Sequence, residues 1–539
     1  MMQKKVFIGS FLVVVLGVAL YFFIALVSDG VATEVELYNE VSFSFDEPDR
    51  FDDYSVSEEA RHGIAEDTIH QWEIALSDED LPAEFTLTIR EFRNGDFVLF
   101  TRLENPSEEL LQIGYSVDFH DQMALDSWFY PDDDFEREHD STLGVDPTSY
   151  PVGLKTLENQ NDQRFDIFSG KNYISQELIK EYEDGSESVL RDLIDEKYSY
   201  LDDHSSEVDA LDYEIISEGN DISEHWFMLS RSQLFEDKTV LNEWMDYSLE
   251  NYKQVNKWYT DQGALRKIPW SIEPYTEMGF GRNLGTMREK VVMDRYKSTG
   301  ERYFYNIVRN SLVDLLNYRD EGQDVWKTEY TSTWLKEQWE TTAPFVDTRH
   351  NENIALFFMD AAEEFEEPEL MEYASYYGDF LFRQVEEENT IILDDEHFYI
   401  ADYEDVYGSN TTHASLNHIL GEMNYLLNYY MQTGEEDYLS LAMDLRAAVE
   451  FTGREWIRDN GDLWYQINPD LTFDGNDYTT LTLEDLLFAQ RNFELLNIDQ
   501  SSLFFDLIQS KTTYLTEENV SLPQYIIYML EDQGHLDSE

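Results

Sequence analysis

The spacing of apolar residues changes character several times along this chain of 539 residues. From Val6 to Val27 it is an almost unbroken apolar run behind Lys4 and Lys5. Between residues 33 and 163 the period is two. Ala83-Glu-Phe-Thr-Leu-Thr-Ile-Arg-Glu-Phe-Arg93 alternates, Asn94-Gly95 supplies a hairpin turn, and Phe97-Val-Leu-Phe-Thr-Arg-Leu103 returns. Gly114-Tyr-Ser-Val-Asp-Phe119 reads as a further strand. Short strands separated by turn signals predict a β-sandwich or barrel-like domain. Residues 164–234 read as a mixed connecting region, with helical patches at 175–182 and 188–194 and strand-like Ile215-Ile216 and Trp226-Phe-Met-Leu229. From 235 to 539 apolar residues recur three and four apart. That spacing predicts helices over 240–260, 282–297, 301–317, 353–365, 368–386, 415–432, 436–456, 483–496 and 501–513.

A weak repeat organises the helical part. Tyr296-Lys-Ser-Thr-Gly300-Glu-Arg-Tyr303 recurs as Tyr430-Met-Gln-Thr-Gly434-Glu-Glu-Asp-Tyr438, with a looser copy from Phe365 to Tyr373. Each copy ends one helix, turns, and opens the next with acidic residues. Hairpins joined this way stack into a solenoid or close into an α/α-toroid. The expected fold class is α+β multidomain: an N-terminal transmembrane helix within residues 1–32, a β-sandwich or barrel-like domain, and a C-terminal α/α-toroid.

The first run, about 22 residues, is long enough to cross a bilayer core of about 30 Å. It is longer than the apolar region of a cleavable signal, although Gly30-Val31-Ala32 resembles a cleavage site. Lys4 and Lys5 should stay in the cytoplasm, so the expectation is a single-pass membrane anchor with the C-terminal domain extracellular. The sequons at Asn410 and Asn519 are compatible with that side.

Charge sharpens the picture. There are 113 acidic and 37 basic residues, a net charge of -76. Aromatic residues make up 15% of the chain and run along its length, which argues for buried cores rather than disorder. Self-repulsion on this scale is screened at molar salt, where the Debye length is about 3 Å. The acidity therefore reads as adaptation to a hypersaline environment, with runs such as Asp132-Asp133-Asp134 and Glu386-Glu387-Glu388 as solvated surface. Nucleic acid is an unsuitable partner. With no cysteine, disulfides, thiolate catalysis and Cys-ligated metals are excluded.

Candidate chemistry concentrates in two polar, aromatic loops. The first, from Tyr403, leads into a helix with apolar positions at Leu416, Ile419, Leu420, Met423, Leu426 and Leu427. Thr411 or Thr412 can cap that helix, and Tyr407 precedes its N-terminus, where backbone N–H groups favour a carboxylate. The second runs from Leu463 to Tyr478, and its Asp470, Asp474, Asn476 and Asp477 are dense enough for a structural calcium ion. Motifs for phosphate loops, zinc proteases, serine hydrolases and EF-hands are missing from the sequence, and no cofactor is expected.

Three stretches together resemble the C-terminal domain of the D-glucuronyl C5-epimerases. They are Pro274-Tyr-Thr-Glu-Met-Gly-Phe-Gly-Arg-Asn283; Tyr403-Glu-Asp-Val-Tyr407 with Leu416-Asn417 nine residues on; and Leu463-Trp-Tyr465 with Asp477-Tyr478-Thr-Thr480. The resemblance implies a β-rich part followed by an α/α-toroid, and inversion at C5 of glucuronate within an acidic polysaccharide or glycan. It maps the catalytic tyrosines onto Tyr407, Tyr465 and Tyr478. The chain departs from the family pattern at Val406, Gly408, Thr479 and Thr482, the last two standing at or near the places of two histidines.

The chemistry makes its own demands. Removing the C5 proton builds charge on the adjacent carboxylate, which the site must neutralise. Arg282 and Arg288 are the candidates for holding it. Inversion needs a base on one face and an acid on the other. Tyrosine can serve where a cation lowers its pKa from about 10. Glu404, Asp405 and Asn417 are placed to position the sugar. The same residues leave open a uronate lyase, in which the carbanion expels the C4 group, a non-catalytic glycan-binding protein, and a glycoside hydrolase using two of the many carboxyls.

Overall fold

The computed structural model describes residues 31–76, 82–130, 139–146, 148, 150–200, 206–250, 257–320, 324–408 and 410–536. The chain divides into two compact units. The first holds Met1–Pro131, Pro151–Gln176 and Ile194–Gln233, and the second holds Asp132–Tyr150, Glu177–Leu193 and Leu234–Glu539.

The first unit is antiparallel sheet. Its strands are β1 (Glu34–Tyr38), β2 (Val41–Phe45), β3 (Phe51–Arg61), β4 (Ala65–Ile74), β5 (Ala83–Phe92), β6 (Phe97–Asn105), β7 (Leu111–Phe129), β8 (Gly153–Glu158) and β9 (Arg164–Ser169). The first half of β10 (Asn172–Glu181), the end of β11 (Glu187–Lys197), β12 (Glu207–Ser217) and β13 (Asp221–Ser230) complete it. The hydrogen-bonded order runs β1-β2-β7-β8-β9-β13-β6-β5-β4-β3, with β12 also on β7. The hairpin at Asn94-Gly95 forms as its sequence dictates: Gly95 has φ 79° and donates to the Phe92 carbonyl at 2.8 Å.

Rings from strands that are not sheet neighbours pack against one another. Phe43 of β2 lies 6.4 Å from Phe85 of β5, and Phe45 lies 4.9 Å from Trp72 of β4. A single sheet therefore folds over its own apolar face. Among the described strands β1, β3 and β12 each pair on one side only, so the sheet has free edges and no barrel closes.

The second unit carries α1 (Lys238–Glu250), α2 (Leu284–Met287), α3 (Lys290–Thr299), α4 (Arg302–Asp320), α5 (Thr333–Trp339) and α6 (Thr348–Glu364). After them come α7 (Leu370–Glu386), α8 (Leu416–Thr433), α9 (Glu436–Thr452), α10 (Leu481–Leu495), α11 (Ser502–Glu517) and α12 (Gln524–Asp532). Helix α8 packs between α6 and α10, and each of the three carries an outer partner, α7, α9 and α11. The inner helices follow from composition: α8 is buried on all sides from Leu416 to Leu427, whereas α9 buries one face through Leu441, Ala442, Leu445, Ala448 and Val449. The repeated glycines end helices as read. Gly300 (φ 72°) and Gly434 (φ 75°) are left-handed C-caps donating to Tyr296 and Tyr430 carbonyls.

These findings correct several expectations. The transmembrane helix, β-sandwich or barrel and α/α-toroid assembly gives way to one large folded antiparallel sheet, with no closed barrel, followed by the layered helices. The expected anchor at residues 6–27 lies outside the described residues. Among the described residues no helix is long and apolar enough to cross a membrane. The single-pass, extracellular placement and the membrane partner therefore have no support. Residues 175–181 and 188–194, within the two patches read as helical, belong to strands β10 and β11. The cap of α8 is Ser415 rather than Thr411 or Thr412; Thr412 instead accepts the Tyr403 N–H at 3.2 Å.

Candidate active site

A cavity of about 880 Å³ opens in the second unit, walled by Trp334, Trp339, Tyr403, Tyr465, Tyr478 and the hairpin between the last two. Short strands place the tyrosines. Tyr403 starts the strand Tyr403–Asp405, which pairs with Phe345–Asp347 and sets Tyr403 opposite Asp347. Tyr465 lies in Trp464–Ile467, flanked by Ala414–Ser415 and Phe473–Asn476. Tyr478 follows two residues after that last strand. A glycine is required at 475: a Cβ there would sit 2.9 Å from the Tyr465 Cβ.

The rings form a chain. Tyr478 meets Tyr465 edge-on at 5.8 Å, Tyr465 meets His413 at 5.8 Å, and His413 meets Tyr403 at 5.7 Å. His413 is fully buried, stacked on Trp339 at 5.5 Å and set edge-on to Trp334 at 5.3 Å. Behind it Asp402 is fully buried. Its carboxylate accepts the Ser415 N–H at 2.8 Å and the Ser415 hydroxyl at 2.5 Å, and lies 3.1 Å from His413 Nε2. His418 Nδ1 is 3.7 Å from the same carboxylate and 2.7 Å from the Thr348 hydroxyl. Burial works against the Asp402 charge, but His418, His413 and the Ser415 bond outweigh it and hold its carboxyl below the usual range.

The tyrosines move the other way. Burial, then Asp402 and Tyr478, raises Tyr465; burial, then Asp347 and Tyr465, raises Tyr403 well above 10. Burial, Asp347, Asp402 and Asp477 raise Tyr478, and Arg349 opposes them. All three hydroxyls hold their protons at neutral pH.

The hairpin is pinned from beneath. Lys511 on α11 is buried and donates to Asp462 (2.6 Å), Asp477 (2.7 Å) and the Tyr478 carbonyl (2.8 Å). It thereby ties the residues just before Tyr465 to those just before Tyr478.

Of the residues singled out from sequence, Tyr465 and Tyr478 come together on the cavity wall. Tyr407 does not join them. It is 55% exposed on a turn whose N–H groups, at Tyr407 and Gly408, donate to Asp405. Tyr403 stands at the wall instead. Arg282 forks onto Glu329, with Nη2 at 2.6 Å from Oε2, and lies over the Tyr318 ring, away from the cavity lining. Arg288 is largely buried beside Glu352, and burial lowers its pKa. Glu404 pairs with Arg383 at 2.8 Å. Asn417 is buried, its carbonyl accepting from Arg349. The four residues proposed for calcium are engaged separately: Asp470 with Thr472, Asp474 with Gly475, Asn476 with Arg458, and Asp477 with Lys511. No group of three or more His, Asp or Glu among the described residues could hold a metal ion. Sequence reading missed Asp402, His413 and Tyr403.

A second buried set lies among the inner helices. Arg349 bridges Glu352 (2.8 Å) and Asp485 (3.0 Å), and neither carboxyl oxygen of Glu422 has a hydrogen-bond partner among the described residues. Burial raises Glu352, raises Glu422 well above its usual value, and pushes Asp485 up to about 7. An acid whose folded pKa lies above its unfolded value, about 4, takes up a proton on folding. Its contribution is full below pH 4 and is lost as pH rises through the folded pKa. The contribution of this set to stability, read in denaturant melts, should therefore fall between about pH 4 and 7, against that of His70 and His225, whose pKa values burial lowers to about 4 and about 3 and which work the other way. Glu422→Gln should flatten that slope and raise stability at pH 8; an unchanged slope would contradict the assignment.

No family model matches the chain, and no curated protein matches it, so membership of the C5-epimerase family is not shown. Solved structures resemble it at low level, and several are by name carbohydrate-active enzymes. A cellobiose 2-epimerase from Bacillus thermoamylovorans is 11% identical at TM-score 0.38, covering 52% of this chain and 71% of that one. A family 76 glycoside hydrolase (mannosidase) from Bacteroides thetaiotaomicron is 13% identical at TM-score 0.35, covering 52% and 72%. An unsaturated glucuronyl hydrolase specific for heparin is 14% identical at TM-score 0.31, covering 43% and 61%. Likenesses this slight assign no reaction.

Proposed function

We propose that this protein is a carbohydrate-processing enzyme that binds a glycan residue in the Trp334–Tyr478 cavity and inverts C5 of a glucuronate there. The observation that carries the reading is the Tyr465–Tyr478 pair, two phenols at 5.8 Å on one wall of an aromatic cavity. Both are positions that the C5-epimerase resemblance singles out. Trp334 and Trp339 offer faces for a pyranose ring, and amides such as Gln466 and Asn468 offer donors to its oxygens.

In this reading Tyr478, a phenol at neutral pH, first gives up its proton to solvent, a loss that Arg349 favours against burial and the neighbouring carboxylates, and its phenolate then takes the C5 proton. Tyr465, raised by burial and Asp402, keeps its proton and returns it after the bound residue has turned its opposite face to the wall that both rings share. Electrons from the C–H bond rest on the carboxylate as an enolate until the new C–H bond forms. Asp402 and His413 touch no substrate and position Tyr403 and Tyr465 from behind.

One observation favours a second reading. No Lys or Arg lines the cavity among the described residues. A neutral sugar processed at the same wall would need none. Incubation with a glucuronate glycan in heavy water separates the two readings: epimerisation leaves deuterium at C5 and forms iduronate, whereas processing of a neutral glycan leaves glucuronate untouched.

A further inference from the structure

We infer that Asp470 and Asp474, at the rim of the cavity, make it selective for a glycan whose residues flanking the reacting one are uncharged. The inference rests on the reading of this cavity as a glycan site and names the class of glycan. Both carboxylates stand on the hairpin that carries Tyr465, and both line the opening. Their partners are neutral. Asp470 accepts the Thr472 N–H at 3.1 Å and hydroxyl at 2.6 Å, and Asp474 accepts the Gly475 N–H at 2.8 Å. Neither has an ion pair among the described residues. Side-chain and backbone bonds from Thr472 hold the Asp470 carboxyl below its usual range, so it stays charged.

Arg458, the cation beside this hairpin, is committed elsewhere. It donates to Asn476 at 2.7 Å, lies 3.6 Å from Asp462 and stacks over Trp464. Trp334, Trp339 and Gln338 line the same cavity. Aromatic faces carry negative electrostatic potential, so they accept a C–H face of a neutral sugar and repel a sulfate or carboxylate. Any anion on a flanking residue would meet two fixed carboxylates, two indole faces and a chain of net charge -76. The carboxylate of the reacting residue meets instead the protonated phenols of Tyr465 and Tyr478, which can donate to it.

The test is binding of two synthetic trisaccharides, measured by calorimetry on the whole protein. One has a single central glucuronate between uncharged hexoses; the other is tri-glucuronate. At 0.1 M salt the first should bind about tenfold more tightly or better, and the gap should narrow in molar salt. Asp470→Asn with Asp474→Asn should bring the ratio to within about threefold. Both side chains are exposed, so the variant should fold, which circular dichroism checks. Equal binding by the unmodified protein, tighter binding of tri-glucuronate, or a ratio unmoved by the double substitution would overturn the inference while leaving the glycan site standing. Binding of neither sugar would overturn both.

Discussion

Replacing Tyr465 with Phe should lower C5 proton exchange on a glucuronate glycan by about 10²-fold or more, and Tyr478→Phe should do the same. Each substitution removes one hydroxyl and keeps the ring. The Tyr465–Tyr478 edge contact and the packing of Tyr465 on His413 survive, so thermal stability should move little. Tyr407→Phe is the informative comparison. Its side chain stands on a turn outside the cavity lining, and that variant should keep close to the full rate. A Tyr407→Phe variant as impaired as the other two would return Tyr407 to the mechanism. Exchange that survives both wall substitutions would remove these phenols from it.

Lys511→Met should cost about 3–5 kcal/mol of stability, read from the denaturant midpoint. The ammonium is buried and sits between Asp462 and Asp477, whose side chains are themselves buried. Methionine fills much the same volume, so the loss would come from charge. Two carboxylates would be left without their cation, and the Tyr478 carbonyl without its donor. The hairpin would then be free to shift, and any activity should fall with it. A midpoint change worth less than about 1 kcal/mol would mean that water reaches these acids and that Lys511 is no clamp.

Most helices of the second unit were legible because their signals are local, although the reading over 240–260 runs into the strand Trp258–Thr260, and Thr333–Trp339 and Gln524–Asp532 were not read as helices. The period of three to four runs unbroken from Leu416 to Leu427, and Gly300 and Gly434 mark helix ends through a backbone conformation that glycine adopts without strain. Residues 175–182 failed for a physical reason. Leu178, Ile179 and Tyr182 are spaced as one helical turn, but the chain just before them pairs with β13, Ile174 opposite Ser223, and neighbour pairing overrides so short a pattern. The site was half legible. Tyr465 and Tyr478 are close in sequence and remain close in space. Tyr403 and Tyr407 exchange places because Asp405 takes the N–H groups of residues 407 and 408 and turns the chain outward. A Cβ at Gly408 would run into that carboxylate. Asp402 and His413 stand at the two ends of one loop, and only the closing of that loop brings them to 3.1 Å. No spacing rule announces such a pair.

The claim that a proton leaves and returns at C5 has one direct measurement. A glucuronate-containing glycan is incubated with the protein in heavy water, and C5 of the recovered chain is examined by NMR and mass spectrometry. Deuterium at C5 of both iduronate and residual glucuronate, with no unsaturated chain ends, is the predicted result. Glycan recovered with all its C5 protium under conditions where it binds would contradict the account, and deuterium accompanied by unsaturated ends would replace inversion with elimination.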